Sequence, residues 1–343
     1  MTYFIGCDAH RETSTFQQIT DQGALGLTMN VDNNKESLFK FLDLFDQPAI
    51  VTLEAGRNWW FLHQVFKDHP NVEKINVVDP RRNRNLSKEF SVKSGYGRAR
   101  NDRIDSEMMA ELTRLKIAPT IFVPTPEQLE VRSINRFRIN LVYNNTRAKN
   151  HVHSLLAMYG KYASVQEMVY QSEASQSILN PLPKYIQSLI HQLIQQITTF
   201  DEQIEQCEKL LDQWLPEKHP QMAILLSTPG FGITLARTVL VEILDISHFK
   251  SPKYLVSYSG LAPIIEDSDN HPKSKTKLNH HCNYYLKFAF VEAAHHASRH
   301  SKYREKYNSD VKQHGRMIAK FTLARRLIKT IYWMLIRQQL YHG

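Results

Sequence analysis

Cysteine is scarce and scattered: Cys7, Cys207 and Cys282 are the only three in 343 residues, and none stands in a CxxC pair. An odd, dispersed set supports neither a disulfide framework nor a cysteine zinc site. Long apolar runs are missing too, since no stretch approaches the roughly eighteen uninterrupted apolar residues of a membrane span. Met1 to Glu12 lacks the charged-then-apolar layout of a secretory signal. A soluble cytoplasmic protein with no membrane partner is the expectation. Acidic residues are in deficit, 34 against 43 Lys and Arg, for a formal charge of +9. That balance favours a polyanionic partner, although charge alone does not choose nucleic acid over a membrane surface. The length calls for two or three domains.

The N-terminal part reads as α/β. Tyr3 to Asp8, Thr15 to Ile19 and Leu27 to Val31 form a three-stranded meander with a turn at Asp21-Gln22-Gly23. Leu38, Phe41, Leu42 and Phe45 recur at helical spacing, Ala49 to Glu54 is a short strand buried on both faces, Trp59 to Lys67 is a helix, and Ile75 to Val78 a further strand. The order β-β-β-α-β-α-β suits a mixed sheet flanked by helices.

Two of these strands end in a carboxylate, Asp8 and Glu54, at the rim of the sheet where ligands of open α/β folds bind. Asn101 can cap a helix running through Met108, Met109, Leu112 and Leu115, which sets Asp102 and Asp105 three residues apart on one face of its first turns. Each acid alone is equally at home as a strand end or a dipole complement. Four converging carboxylates would instead hold one or two Mg²⁺ ions, because hard cations take oxygen ligands and Mg²⁺ keeps positions open for phosphate oxygens. The basic run from Arg81 to Arg100, with Arg98 and Arg100 beside the acids and Ser94-Gly95-Tyr96-Gly97 as a flexible loop, suits a phosphodiester backbone.

Pro124 and Pro126 mark a break. Ile134, Phe137, Leu141, Asn145, Ala148, Val152, Leu155 and Tyr159 form one seam at alternating steps of three and four, and Ile186, Ile190, Leu193, Ile197, Phe200, Ile204, Cys207, Leu211 and Trp214 form a second. This is coiled-coil spacing, satisfied by an antiparallel hairpin or by pairing with another protomer. Arg132, Arg136, Arg138, Arg147 and Lys149 on the flanks are available to RNA or DNA. Farther on, Thr228-Pro229-Gly230-Phe231-Gly232 followed by a helix reads as a helix-hairpin-helix signature, in which Gly230 and Gly232 let backbone N–H groups approach a DNA phosphate. The polar loop from Ile264 to Cys282 holds Ser268 and Ser274 with Lys273, Lys275 and Lys277 beside them. A serine among lysines is a candidate nucleophile toward phosphate. Helices over Asn283 to Ala297 and Arg316 to Gln339 finish the chain. The expected domains are 1–125, 126–216 and 217–343.

Taken together, these stretches resemble the DEDD transposases of bacterial insertion sequences, a family that includes the bridge-RNA-guided recombinases and the Piv-type DNA invertases. Ile5-Gly6-Cys7-Asp8-Ala9-His10 is similar to the family's first acid motif, Val51 to Gly56 to its second, and Asn101 to Ser106 to its third and fourth. Thr228 to Gly232 and then Ser259-Gly260-Leu261-Ala262-Pro263 are similar to its second conserved domain. The resemblance implies a RuvC-like, RNase H-type N-terminal domain, coiled-coil helices and a helical C-terminal domain. It also implies Mg²⁺ held by Asp8, Glu54, Asp102 and Asp105 while a C-terminal serine attacks the phosphodiester. Ser268 stands at the corresponding position, with Asp269 and Asn270 where glycines are usual and Ser274 as second choice. Double-stranded DNA, a structured guide RNA and a homo-oligomer are the implied partners. A site-specific invertase, a metal-dependent nuclease that uses water, and a non-catalytic nucleic-acid-binding protein are the rival readings.

Overall fold

Along the first strand, Tyr3–Ala9 (β1), Ile5 and Cys7 are fully buried on one face of a sheet, which leaves Gly6 and Asp8 to the other. The computed structural model describes residues 2–93, 101–166, 173–264, 277–278 and 282–342. β1 pairs antiparallel with Thr13–Ile19 (β2), and β2 with Leu25–Asp32 (β3). On its other side β1 runs parallel to Ala49–Glu54 (β4), which runs parallel to Val72–Val78 (β5), giving the order β3-β2-β1-β4-β5. Helices Lys35–Leu42 (α1) and Trp59–Lys67 (α2) make the crossovers. Asn34 caps α1, its Oδ1 accepting from the Ser37 N–H at 2.8 Å. Leu38, Phe41, Leu62 and Phe66 from these helices close over Ile5, Cys7, Phe16, Val51 and Leu53. Each large side chain so buried contributes roughly 1.5–3 kcal/mol.

On the other face, among the described residues, one helix packs closely. After Pro80–Lys93 (α3), the helix Asp102–Arg114 (α4) lies across β1, β2 and β4. A Cβ on Gly6 would fall 1.8 Å from the Ser106 carbonyl oxygen and 2.8 Å from the Ala110 nitrogen, so strand backbone touches helix backbone there. Two hydroxyls lock the same face: Thr113 Oγ1 donates to the Met109 carbonyl at 2.7 Å, which leaves Thr52 Oγ1 to donate to Thr113 at 2.7 Å. This unit, Met1–Val123, is one of two into which the chain divides.

The second unit, Pro124–Gly343, is helical among its described residues apart from a two-residue strand pair. Pro126–Ala157 (α5) starts in a reciprocal cap, with the Gln128 N–H donating to Thr125 Oγ1 and the Thr125 N–H to Gln128 Oε1. Glu173–Leu179 (α6) leads to Lys184–Trp214 (α7). α5 and α7 run antiparallel, as the pairs Arg138–Glu208 and Lys149–Asp201 require, and bury Ala148, Val152 and Leu155 against Ile186, Ile190, Ile194 and Ile197. The expected α5 seam is buried from Leu141 to Leu155 but not at its two ends, where Phe137 is 52 % and Tyr159 40 % exposed. At the Phe137 end α5 turns Val131 and Asn135 inward instead, because Val131 packs on Leu211 and Val241 and Asn135 shares a hydrogen bond with Thr238.

The remaining helices are Pro220–Leu226 (α8), Ile233–Ile243 (α9), Pro252–Tyr258 (α10), Tyr284–Ala297 (α11), Ser301–His314 (α12) and Arg316–Arg337 (α13). Their core gathers Leu225, Val239, Leu255, Phe290, Leu327 and Ile331. Small residues on α11 admit the α8–α9 turn: Gly230 has φ +94°, and a Cβ on it would meet the Ala293 carbonyl at 2.2 Å. None of the described helices is long and apolar enough to cross a membrane.

Because the atoms facing Gly6 are main chain that cannot swing aside, Gly6→Ala is expected to cost about 3 kcal/mol or more of stability in the first unit. Urea denaturation followed by tryptophan fluorescence measures it. A midpoint equal to that of the parent protein would mean the helix does not depend on this contact.

Candidate functional site

The register of the parallel pair decides where the acids go. Cys7 lies opposite Leu53, so the next residues, Asp8 and Glu54, sit side by side at the C-terminal ends of β1 and β4, on the face covered by α4. On that helix, Asn101 Oδ1 accepts from the Ile104 N–H at 2.8 Å, which starts the helix where the sequence predicts and puts Asp102 and Asp105 in its first turn. The Gly6–Ser106 contact is one turn farther along α4 from Asp102 and two residues before Asp8 on β1.

Ligand atoms of Asp8, His10 and Asp102 lie within 4.8 Å of one another. His10 Nε2 stands 3.0 Å from Asp102 Oδ2 and 3.7 Å from Asp8 Oδ2, so one ring nitrogen faces two carboxylates. The His10 carbonyl is held in turn by the side-chain amides of Asn33, at 2.9 Å, and Asn58, at 2.7 Å. Glu54 is outside that tight triad and accepts at Oε1 from Asn83 Nδ2 at 2.8 Å. Asn83 comes from α3 and is buried, and its Oδ1 has no hydrogen-bond partner among the described residues.

Burial pushes the Asp8 carboxyl up to about 6; His10 pulls it down, while the negative charges of Asp105, Asp102 and Glu54 raise it further. Carboxylates that raise one another's proton affinity are short of positive charge. An oxygen-rich donor set of this kind, with an unsatisfied amide oxygen next to Glu54, fits a hard divalent cation. Asp8 and Asp102 would hold it most directly, with Asp105 and Glu54 adding charge. The sequence reading gave His10 no role, although its position two residues beyond Asp8 was a usable signal. Asn33, Asn58 and Asn83 left no comparable trace.

The other residues singled out from sequence fall into two groups. Arg98, Arg100, Ser268, Ser274, Lys273 and Lys275 lie outside the described residues. What flanks the serine segment is described: Pro263–Ile264 pairs antiparallel with Lys277–Leu278. Asn283 donates from its main chain to the Tyr258 carbonyl at 2.9 Å and from its side chain to Glu242 at 2.6 Å and the Tyr258 hydroxyl at 3.1 Å. On the C-terminal side Asn283 is thus tied to one buried carboxylate, Glu242, which Arg136 clamps through two bonds of 2.7 Å. Gly230 gives its bare Cα to the packing against α11, whereas Gly232 is exposed at the start of α9 with open space around it.

With Asp8 near 6 in the folded protein and 3.8 as its ordinary value, the folded state is the tighter proton binder. The stability linked to that proton is fully present below about pH 4 and is lost as pH rises through 6. In chelator, Asp8→Asn is therefore expected to gain thermal stability relative to the parent between pH 5 and pH 7.5. Parallel melting curves across that range would refute the crowding of charge at Asp8.

Comparison with known proteins matches both parts of the chain. A DEDD transposase model of the IS110 type matches residues 5–160, and a model described as Transposase IS116/IS110/IS902 family matches residues 222–309. The chain is 26 % identical over 218 residues to the transposase for insertion sequence element IS1328 of Yersinia enterocolitica, covering 63 % of this chain and 61 % of that protein. It is 24 % identical over 253 residues to the transposase for insertion sequence element IS1111A of Coxiella burnetii, covering 71 % and 68 %. The chain thus spans about three fifths of the Yersinia relative's length. With the acid-bearing sheet and the helical C-terminal region both matched, the chain belongs to the IS110-type DEDD transposases.

Proposed function

We propose that this protein is an insertion-sequence transposase that cuts and rejoins DNA at the cluster of Asp8, Glu54, Asp102 and Asp105. The observation that carries the reading is the side-by-side placement of Asp8 and Glu54 on adjacent parallel strands, with Asp102 close enough to Asp8 to share His10. Mg²⁺ bound there would supply a Lewis acid for a phosphodiester oxygen and charge for the transition state. The protein's own share is orientation. Asn33 and Asn58 fix the His10 main chain, and Asn83 fixes one oxygen of Glu54.

Ser268 is the nucleophile in this reading. Its Oγ forms a bond to phosphorus as the phosphorus–oxygen bond to the departing strand breaks, and the proton lost by the serine is matched by one taken up by the leaving hydroxyl. Reversal by another strand's hydroxyl rejoins DNA without outside energy. Lys273 and Lys275 would offset charge developing on the phosphate. The substrate is double-stranded DNA, Arg98, Arg100 and Gly232 are backbone contacts, a structured RNA selects the site, and the working form is a homo-oligomer. The seams of α5 and α7 face each other within one chain, so the oligomer would use other surfaces. A second reading, hydrolysis by water, is favoured by Asp269 and Asn270 standing where the family's glycines are usual.

Incubation with DNA carrying the element's ends, in Mg²⁺, followed by denaturing electrophoresis, separates these readings. Serine attack gives a denaturation-resistant protein–DNA adduct that Ser268→Ala abolishes, while water attack gives free 5′-phosphate ends and no adduct. Asp102→Asn, or chelation, is expected to lower cleavage by at least about a hundredfold under either reading. Full activity in Asp102→Asn would remove the acidic cluster from the chemistry.

A further inference from the structure

We infer that a groove between α12 and α13 is a second nucleic-acid site, built for a single strand whose phosphates meet Arg326 and Lys329 and one of whose bases stacks on Trp333. Two cavities adjoin there, of about 480 and 290 Å³, and Tyr303 and Arg326 line both. The larger is within the size range of small-molecule pockets and suits one nucleoside unit.

Charge in the groove is strongly one-sided. Lys302, Arg326 and Arg337 line the larger cavity, and Lys306, Arg325, Arg326 and Lys329 the smaller. Asp310 is the only acid lining either one, and it is taken by Lys306 at 2.7 Å. Arg326 and Lys329 are exposed and form no ion pair with a described residue. Arg325 is half-buried, bonded among the described residues only to the Thr322 hydroxyl, and its desolvation makes the cation costly to keep. Neighbouring cations without counter-charges are stabilised by a polyanion, and linear phosphates supply charge at matching intervals.

The aromatic groups point to a strand rather than a duplex. Trp333 is 46 % exposed, and the Arg337 guanidinium lies 5.3 Å from its ring centroid. Lys302 sits 4.7 Å from the centroid of Tyr341, whose hydroxyl is 2.8 Å from that of Tyr303. An indole and a guanidinium presented together are a stacking platform for an unpaired base. Bases within a duplex are already stacked and cannot enter such a recess.

This site is independent of the acidic cluster, so it is tested in chelator, where failure of the cleavage reading leaves the result untouched. Full-length protein is titrated into fluorescein-labelled oligouridylate, oligothymidylate and a duplex of equal length, with anisotropy as the readout. Trp333→Ala is expected to weaken single-strand binding about fivefold or more with an unchanged salt slope, and Trp333→Phe to recover most of that loss. Arg326→Glu with Lys329→Glu is expected to lower the slope of log affinity against log salt by about 1.4. The tighter of the two strands identifies RNA or DNA as the source, and equal affinity assigns the groove to what they share. Unchanged binding by Trp333→Ala, equal weakening toward the duplex, or full competition by polyglutamate would each overturn the proposal. Should Trp333→Ala not fold, photocrosslinking of 5-iodouridine strands to the parent protein decides: an adduct on Trp333 or Tyr341 supports the site, and adducts confined to other residues refute it.

Discussion

A main-chain contact underlies the acidic centre. At Gly6 the strand β1 meets the carbonyl of Ser106 at a separation that leaves no room for a methyl group. Contact this close fixes the height and the rotation of α4 on the sheet, since backbone cannot repack as side chains do. Helix geometry does the rest. Asp102 stands four residues ahead of Ser106, a little more than one turn and about 6 Å along the axis, toward the end of β1 that carries Asp8. The buried hydroxyl pair of Thr52 and Thr113 restrains the same helix two turns later, over β4. Held at two points, α4 can slide neither along the sheet nor around its own axis.

Such rigidity is what a crowded acidic site demands. Carboxylates free to move would separate, because each is destabilised by the charge of the others. Asp8 cannot move: it is on a central strand, between β2 and β4, with only part of its side chain open to water. Its raised proton affinity records the cost of that confinement. His10 offsets some of the repulsion from a turn that Asn33 and Asn58 hold in place. The imidazole of His10 thus stands against the same carboxylate oxygens a cation would use.

The first unit was legible from sequence because its signals are periodic and local. Alternation in Ile5-Gly6-Cys7-Asp8 and the apolar run Val51-Thr52-Leu53 named both strands, and an asparagine followed by helix formers named the start of α4 to the residue. What escaped was the finer detail that depends on a partner distant in the chain. Gly6 reads as an unremarkable strand residue until Ser106 is known to lie against it. Asn83 is one polar residue in a basic run until its amide is found on Glu54. In the second unit the regular heptad-like spacing was extended too far. Phe137 fits the pattern, yet at that level α5 packs on α9 as well as on α7, and Val131 and Asn135 make those contacts. The glycine of the Pro-Gly-Phe-Gly turn reads equally as a phosphate contact or a packing contact, and at Gly230 α11 occupies the space.

Basic residues in the second unit divide into two populations that composition cannot separate. On α5, Arg136 is clamped to the fully buried Glu242, Arg132 donates to the carbonyls of Val241 and Glu242, and Arg138 pairs with Glu208. Those cations are structural. Removing Arg136 would leave the buried Glu242 carboxylate without its clamp, and all three are engaged within the chain, so they are poorly available to an outside phosphate. Among the described residues the exposed cations on α13 have no acidic partners: its exposed face carries Arg326, Lys329 and Arg337 alongside Trp333. A surplus of positive charge is therefore a misleading guide when counted over the whole chain. The informative quantity is the charge left after internal pairing, and among the described helices of this unit it is concentrated where the chain also exposes an indole.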